Sequence, residues 1–247
     1  MLATTSTLPK TNVFLTAGWH NLAMLNFIVD PVILEPHVPV GTELDYCQGR
    51  SYVSVVGFQF VDTKVLGIPL PFHRFFEEVN LRFYVVRPTP DGPRRGVVFI
   101  REIAPRRLVS LVARWFYNEK YVTMPMRHRI ELPGENAHGL VQYEWWHGQG
   151  WNGLSAHIHG QPSHPPAGSE AEFITENYWG YSKQKDGGTM EYAVEHSAWR
   201  VWPVSSARYD CDVAAIYGKQ FVPYLREPTS VFAADGSPII VRRGRRL

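Results

Sequence analysis

Hydrophobic and polar positions alternate most strictly over Glu78 to Val85. Val79, Leu81, Phe83 and Val85 fall on one face of an extended segment, and Glu78, Asn80, Arg82 and Tyr84 on the other. This predicts a strand, which Asp91-Gly92-Pro93 turns back into Gly96 to Ile103 as a hairpin. β-Branched and aromatic residues predict further strands over Val13 to Val29 and Ser51 to Lys64, with Gly57 as a bulge. Asp30-Pro31 caps a short helical turn through Leu34, and Gly67 to Phe72 reads as a loop because two prolines interrupt it. The period then changes. Leu108, Leu111, Val112 and Trp115 recur at helical spacing opposite Arg107, Ser110 and Arg114, which predicts an amphipathic helix from Pro105 to Asn118.

Beyond the helix, Val122, Met124, Met126, His128, Ile130 and Leu132 share one face of a strand over Tyr121 to Leu132. Leu140 to His147 and Trp151 to Gln161 continue it as a meander. Ala171 to Tyr181 fits a short helix or a strand equally. Thr189 to His196 and Trp199 to Val204 read as extended, Asp212 as the cap of a helix through Tyr217, and Ala234-Asp235-Gly236-Ser237 as the turn of a last hairpin. About ten strands and two or three helices, without strict strand-helix alternation, predict an α+β fold built on a mostly antiparallel sheet that is curled or closed. No linker divides the 247 residues, so one domain over 1–247 is expected.

Composition narrows the partners. Basic and acidic residues balance at 25 against 23, a formal +2 that supplies no field to attract nucleic acid or an anionic membrane. The dense basic run at 242–246 reads as a solvated, frayed end in preference to a phosphate-binding arm. Two cysteines, Cys47 and Cys211, suggest packed thiols and no disulfide framework. The N-terminal residues lack the features of a signal peptide, and nowhere do about eighteen apolar residues run together, so a cytoplasmic protein is expected.

The candidate chemistry follows from the strand faces. If the sheet closes, one face of Glu78–Tyr84 points inward. With the polar face inside, Glu78 and Arg82 become buried charges of the kind that shift pKa and carry function; with it outside, they form an ordinary solvated face. Glu119, set among Trp115, Phe116, Tyr117 and Tyr121, is either a paired structural charge or a working one. His157 and His159 share a strand face at a spacing metal sites use, but no carboxylate joins them, and exposed histidines are the expectation. His196 reads as a packed histidine. Nucleophile elbow, phosphate-binding loop, dinucleotide fingerprint and zinc-protease helix are all missing, so neither cofactor nor metal is expected. None of the six lysines sits in an apolar run that would depress its pKa.

The segments TAGWHNLAMLNFIVDP, VPVGTELD, FHRFFEEVNLRFYVV, GVVFIREI, YNEKYVTMPMRH, FITENYWGYS and EYAVEHSAWRVWPV resemble the bacterial uncharacterised proteins of the YqjF type, a domain of unknown function in the acetoacetate-decarboxylase-like superfamily. The resemblance spans most of residues 13 to 204. It implies a curled, double-layer β-barrel around a small apolar cavity, which in the decarboxylase holds a β-keto acid bound to a lysine as an imine. Laid onto this chain, the motif before that lysine falls on Asn118-Glu119 and Pro125, and the lysine position itself on Met126. The pocket glutamate falls on Glu78 and the pocket arginine on His20. The resemblance thus implies the scaffold and a carboxylate without the covalent step.

The combined expectation is a barrel whose pocket, lined by Glu78, Arg82, His20, Glu119 and Met126, takes a small carbonyl or carboxylate compound. Glu78 or Glu119 would be the acid or base, and Arg82 or His20 would hold an anionic group. The alternatives are a ligand-sensing module on the same barrel, and a homo-oligomeric scaffold joined through the aromatics of Trp145-Trp146 to Trp151.

Overall fold

The computed structural model describes residues 12–69, 74–105, 120–134 and 138–247. The first half of the chain supplies β1 (Val13–Val29), β2 (Glu43–Leu44), β3 (Ser51–Val65), β4 (Ile68–Pro69), β5 (Phe76–Arg87), β6 (Arg94–Ala104) and β7 (Tyr121–Thr123). There follow β8 (Met126–Glu131), β9 (His138–His147), β10 (Gly150–His159), α1 (Glu170–Thr175), β11 (Trp179–Lys183) and β12 (Thr189–His196). The chain ends with β13 (Val201–Trp202), β14 (Val204–Asp210), α2 (Val213–Ile216), β15 (Ser230–Arg242) and β16 (Arg245–Arg246). The helix predicted from Pro105 to Asn118 falls, apart from Pro105, outside the described residues, as does Glu119.

Length explains the frame. β1 is long enough to pair with β3 along one edge and β15 along the other. The order β15-β1-β3-β5-β6-β11-β12 then closes on itself, because β12 pairs back onto β15 through Val194↔Val241 to His196↔Ile239. Closure satisfies the backbone groups that an open sheet would leave at its edges. Pairing is antiparallel except where β11 and β7 join β6 in parallel. Outside this barrel, β14-β10-β9-β8 form a second, four-stranded sheet.

The two layers share one apolar core. Leu25, Phe27, Val55, Leu81 and Phe83 from the outer face of the barrel pack with Val141, Tyr143, Trp145, Leu154 and Ile158 of the four-stranded sheet. A second core fills the barrel interior with Leu22, Met24, Val56, Phe58, Phe60 and Trp199. The barrel strands are therefore apolar on both faces, so alternation is visible only where polar residues line the interior. The capped turns form as predicted: the Asp30 carboxylate accepts the Val32 amide at 3.0 Å, and Asp212 accepts that of Ala215 at 3.1 Å. Ser169 caps α1, which plugs one barrel end with Phe173 and Ile174. Ala171 to Tyr181 is thus helix and strand in succession.

Several expectations change. The strand predicted from Tyr121 to Leu132 is broken at Met124-Pro125: β7 belongs to the barrel and β8 to the outer sheet. Gly57 is no bulge. The extra residue is in β1, where Asn21 takes φ 55° and the register shifts between His20 and Ala23. No hairpin turns at Ala234–Ser237, because β15 runs straight through against β1 with Gly236 at φ 81°. Of the segment read as a loop, Ile68 and Pro69 form a two-residue edge strand with Ile68 66% exposed, and residues 70–72 lie outside the described residues. The basic tail is also ordered. β16 pairs with β12, Arg245 bonds Glu191, and Arg246 and Arg242 bond Asp186 and Glu195. No helix among the described residues is long and apolar enough to cross a membrane.

Candidate functional site

β5 turns its polar face inward. Glu78, Asn80 and Arg82 are 2%, 2% and 7% exposed, and all three line a cavity of about 130 Å³ inside the barrel. Alternation places them about 6.5 Å apart from one to the next along the strand. Register fixes their depth: Arg82 pairs with Ser54 and Glu78 with Phe58, so Arg82 lies toward the α1 plug and Glu78 nearer the middle. Beyond Glu78 the lining is aromatic, with Phe60 and Phe76 stacked at 4.5 Å and Trp19 edge-on to Phe58 and Phe60 at 5.3 and 5.9 Å. The cavity thus carries charged groups along β5 and an aromatic wall beyond Glu78.

Glu78 is held by both oxygens. Tyr121 Oη donates to Oε2 at 2.5 Å and Asn80 Nδ2 to Oε1 at 3.1 Å. Burial pushes its carboxyl up to about 7, against these two hydrogen bonds and the Arg82 charge, which pull it down. Glu102 of β6, opposite Asn80 in the ladder and 3% exposed, lines the same cavity.

Arg82 is buried and makes no ion pair within 4 Å among the described residues, although its charge acts on Glu78 across the cavity wall. Its Nη2 donates to the Ile174 carbonyl at 3.0 Å and lies 4.0 Å from Met24 Sδ, and its guanidinium stands 5.7 Å from the Tyr84 ring centre. Nε has no hydrogen-bond partner among the described residues; nor do Asn80 Oδ1, Thr63 Oγ1 and Trp19 Nε1, which also belong to residues lining the cavity. A buried cation with unused donors is costly, and an anionic ligand would offset that cost.

The site residues expected from sequence separate. Glu78 and Arg82 meet in the cavity. His20 lies outside its lining: Trp19 and Leu22 are the lining residues here, the bulge at Asn21 falls between them, and His20 Nδ1 faces the Asp235 carbonyl at 3.4 Å. Met126 also lies outside, half-buried on β8 against the core between the layers, because the chain has already left the barrel at Pro125. Glu119 is outside the described residues. Tyr121, which the sequence reading places at the start of a strand and among the aromatics around Glu119, is a functional residue that this reading misses: it enters the cavity from β7, and no local pattern marks it.

His196 is stacked between Tyr178 and Trp199 at 4.6 and 4.5 Å, and burial lowers its pKa. His157 is exposed on β10, and among the described residues no three His, Cys, Asp or Glu side chains gather as metal ligands would. Of the tryptophans considered as an interface, Trp145 is fully buried; Trp146 and Trp151 are 39% and 37% exposed and meet edge-on at 5.5 Å.

A closed barrel with a charged inner stripe and a second sheet outside defines the class: an acetoacetate-decarboxylase-like fold. An acetoacetate-decarboxylase-like enzyme from Sphingomonas wittichii RW1 matches with a TM-score of 0.65 at 12% identity, covering 100% of this chain and 98% of that one. An acetoacetate decarboxylase matches with a TM-score of 0.66 at 13% identity, covering 100% and 95%. At such identities the likeness carries the fold alone. The chain belongs to the DUF2071 family of uncharacterized conserved proteins, whose profile matches residues 16–238. The uncharacterized protein YqjF of Bacillus subtilis (strain 168) is 33% identical over 110 residues, so the match spans 44% of each chain.

Proposed function

We propose that the barrel cavity binds a small organic acid with an apolar body and acts on it without an imine. The observation that carries this reading is Arg82, buried against Ile174 on the wall of a cavity whose far side is aromatic, with a guanidinium donor unused among the described residues. A ligand carboxylate is the partner that such a group accepts best, in a bidentate or a single charge-assisted hydrogen bond. Glu78 stands next along the same face, with a pKa suited to taking or giving a proton near neutrality. No lysine lines the cavity among the described residues, so the acid-base pair and the cation are the chemistry it offers.

The test is thermal unfolding with a series of carboxylates and 2-oxo acids. A ligand at about a hundred times its Kd stabilises the folded state by roughly 2.7 kcal/mol, a readily measured rise in melting temperature. The rise should occur with acids, fail with the matching amides and vanish in Arg82→Met. Equal shifts for acid and amide, or no shift with any of them, would remove the proposal.

A further inference from the structure

We infer that this cavity catalyses keto-enol tautomerisation of 2-oxo acids that carry an aromatic or branched apolar group, with Glu78 and Tyr121 moving the proton. The inference rests on the binding reading above and adds the reaction and the substrate class.

The substrate class follows from the order of groups along β5. Arg82 is at the plugged end, Asn80 and Glu78 come next, and Phe76 with Phe60, Phe58 and Trp19 forms the wall beyond. A molecule with its carboxylate on Arg82 therefore presents its next carbons to Asn80 and Glu78 and its far end to aromatic rings. A 2-oxo acid with an apolar group on the third carbon has that order of functions. A purely apolar acid would offer nothing to the Glu78–Tyr121 pair, and a polyol or dicarboxylate would set polar groups against the rings.

The reaction follows from the Glu78–Tyr121 contact. A carboxylate in an apolar cavity, hydrogen-bonded to a phenol, is an acid-base pair that can remove a proton beside a carbonyl and deliver one to the carbonyl oxygen. Glu78 Oε2, the oxygen that faces the Tyr121 hydroxyl, takes a proton from the third carbon. The C–H electron pair becomes the C=C bond as the carbonyl π pair moves onto oxygen. That oxygen takes the Tyr121 hydroxyl proton, and Glu78 returns the proton it gained to Tyr121 through Oε2. Both residues end as they began, the ketone has become its enol, and no other reactant is consumed. Asn80 Oδ1 is placed to accept the hydrogen bond of the new enol hydroxyl. Arg82, Glu102 and Tyr192 are the other ionisable groups lining the cavity among the described residues.

The experiment follows exchange of the benzylic protons of phenylpyruvate for deuterium by proton NMR, with thermal shift by phenylpyruvate recorded on the same samples. The wild-type protein is expected to raise exchange at least tenfold over buffer. The acceleration should grow as pH rises through about 7, where Glu78 becomes the carboxylate. Glu78→Gln should bring exchange to the buffer rate with the thermal shift retained, and Tyr121→Phe should lower it by about a hundredfold or to the buffer rate. Wild-type exchange at the buffer rate with an intact thermal shift would overturn this inference and leave the binding proposal standing; absence of both would overturn both. Should Glu78→Gln not fold, the wild-type pH profile decides, and a rate flat from pH 5 to 8 would overturn the assignment.

Discussion

The Tyr121 hydroxyl lies 2.5 Å from Glu78 Oε2, though β7 and β5 are separated in the barrel by β6. A three-residue strand added in parallel to β6 thus places one phenol on one buried carboxyl. The contact also has a consequence for stability.

Glu78 titrates at about 7 in the folded protein against 4.5 in the open chain, because burial disfavours its charge. Between those values the folded state holds a proton that the unfolded state has released. The sign therefore runs opposite to that of a salt-bridged carboxylate, and stability contributed by Glu78 is lost as pH rises through this window, by about 3 kcal/mol in all. Denaturant unfolding at pH 5 and pH 8 should show Glu78→Gln gaining on the wild type by about that amount at the higher pH. Tyr121→Phe, which removes a hydrogen bond that lowers the pKa, should extend the window upward. A constant difference between wild type and Glu78→Gln across pH would contradict the raised pKa.

Arg82 trades stability for a site. Replacing a buried charge that has no close ion-pair partner among the described residues by an apolar side chain of similar length should leave the unliganded protein as stable or up to about 4 kcal/mol more stable. Arg82→Met is therefore expected to melt no lower than the wild type without ligand. A loss of several kcal/mol would show that the Ile174 contact, not ligand binding, is the reason for the arginine.

Gly57 marks the contact between the layers. A Cβ there would meet the Tyr143 ring at 2.6 Å, and the Tyr143 hydroxyl donates to the carbonyl of the bulged Asn21 at 2.7 Å. Gly57→Ala should cost about 1–3 kcal/mol in urea unfolding, and Tyr143→Phe about 1 kcal/mol. An unchanged midpoint for Gly57→Ala would mean that the outer sheet shifts freely on the barrel.

Glu191 is the most heavily paired carboxylate among the described residues. Its buried oxygens meet Arg87 at 3.0 Å, Arg94 at 3.1 Å and Arg245 at 2.7 Å. Glu191→Ala leaves three cations facing one another and should cost about 3–5 kcal/mol. Arg245→Ala, at a half-exposed position, should cost under about 1 kcal/mol. Equal costs would contradict the central role of Glu191.

The amino-acid pattern by itself determined the strands β1, β3, β5, β6, β9 and β10, the capped turns and the stripe Glu78-Asn80-Arg82, because each depends on neighbours one to four residues apart. It also carried the family resemblance and through it the barrel. It did not determine which face of that stripe points inward, that Asn21 and not Gly57 bulges, or that the chain leaves the barrel at Pro125. Those depend on partners far along the chain: the return of β12 to β15, the Tyr143 ring on Gly57, and the ordering of β7 and β8 into different sheets. Tertiary structure alone therefore set Tyr121 on Glu78 and turned His20 and Met126 away. A one-residue shift in a strand exchanges its two faces, and nothing local to these segments decides that register.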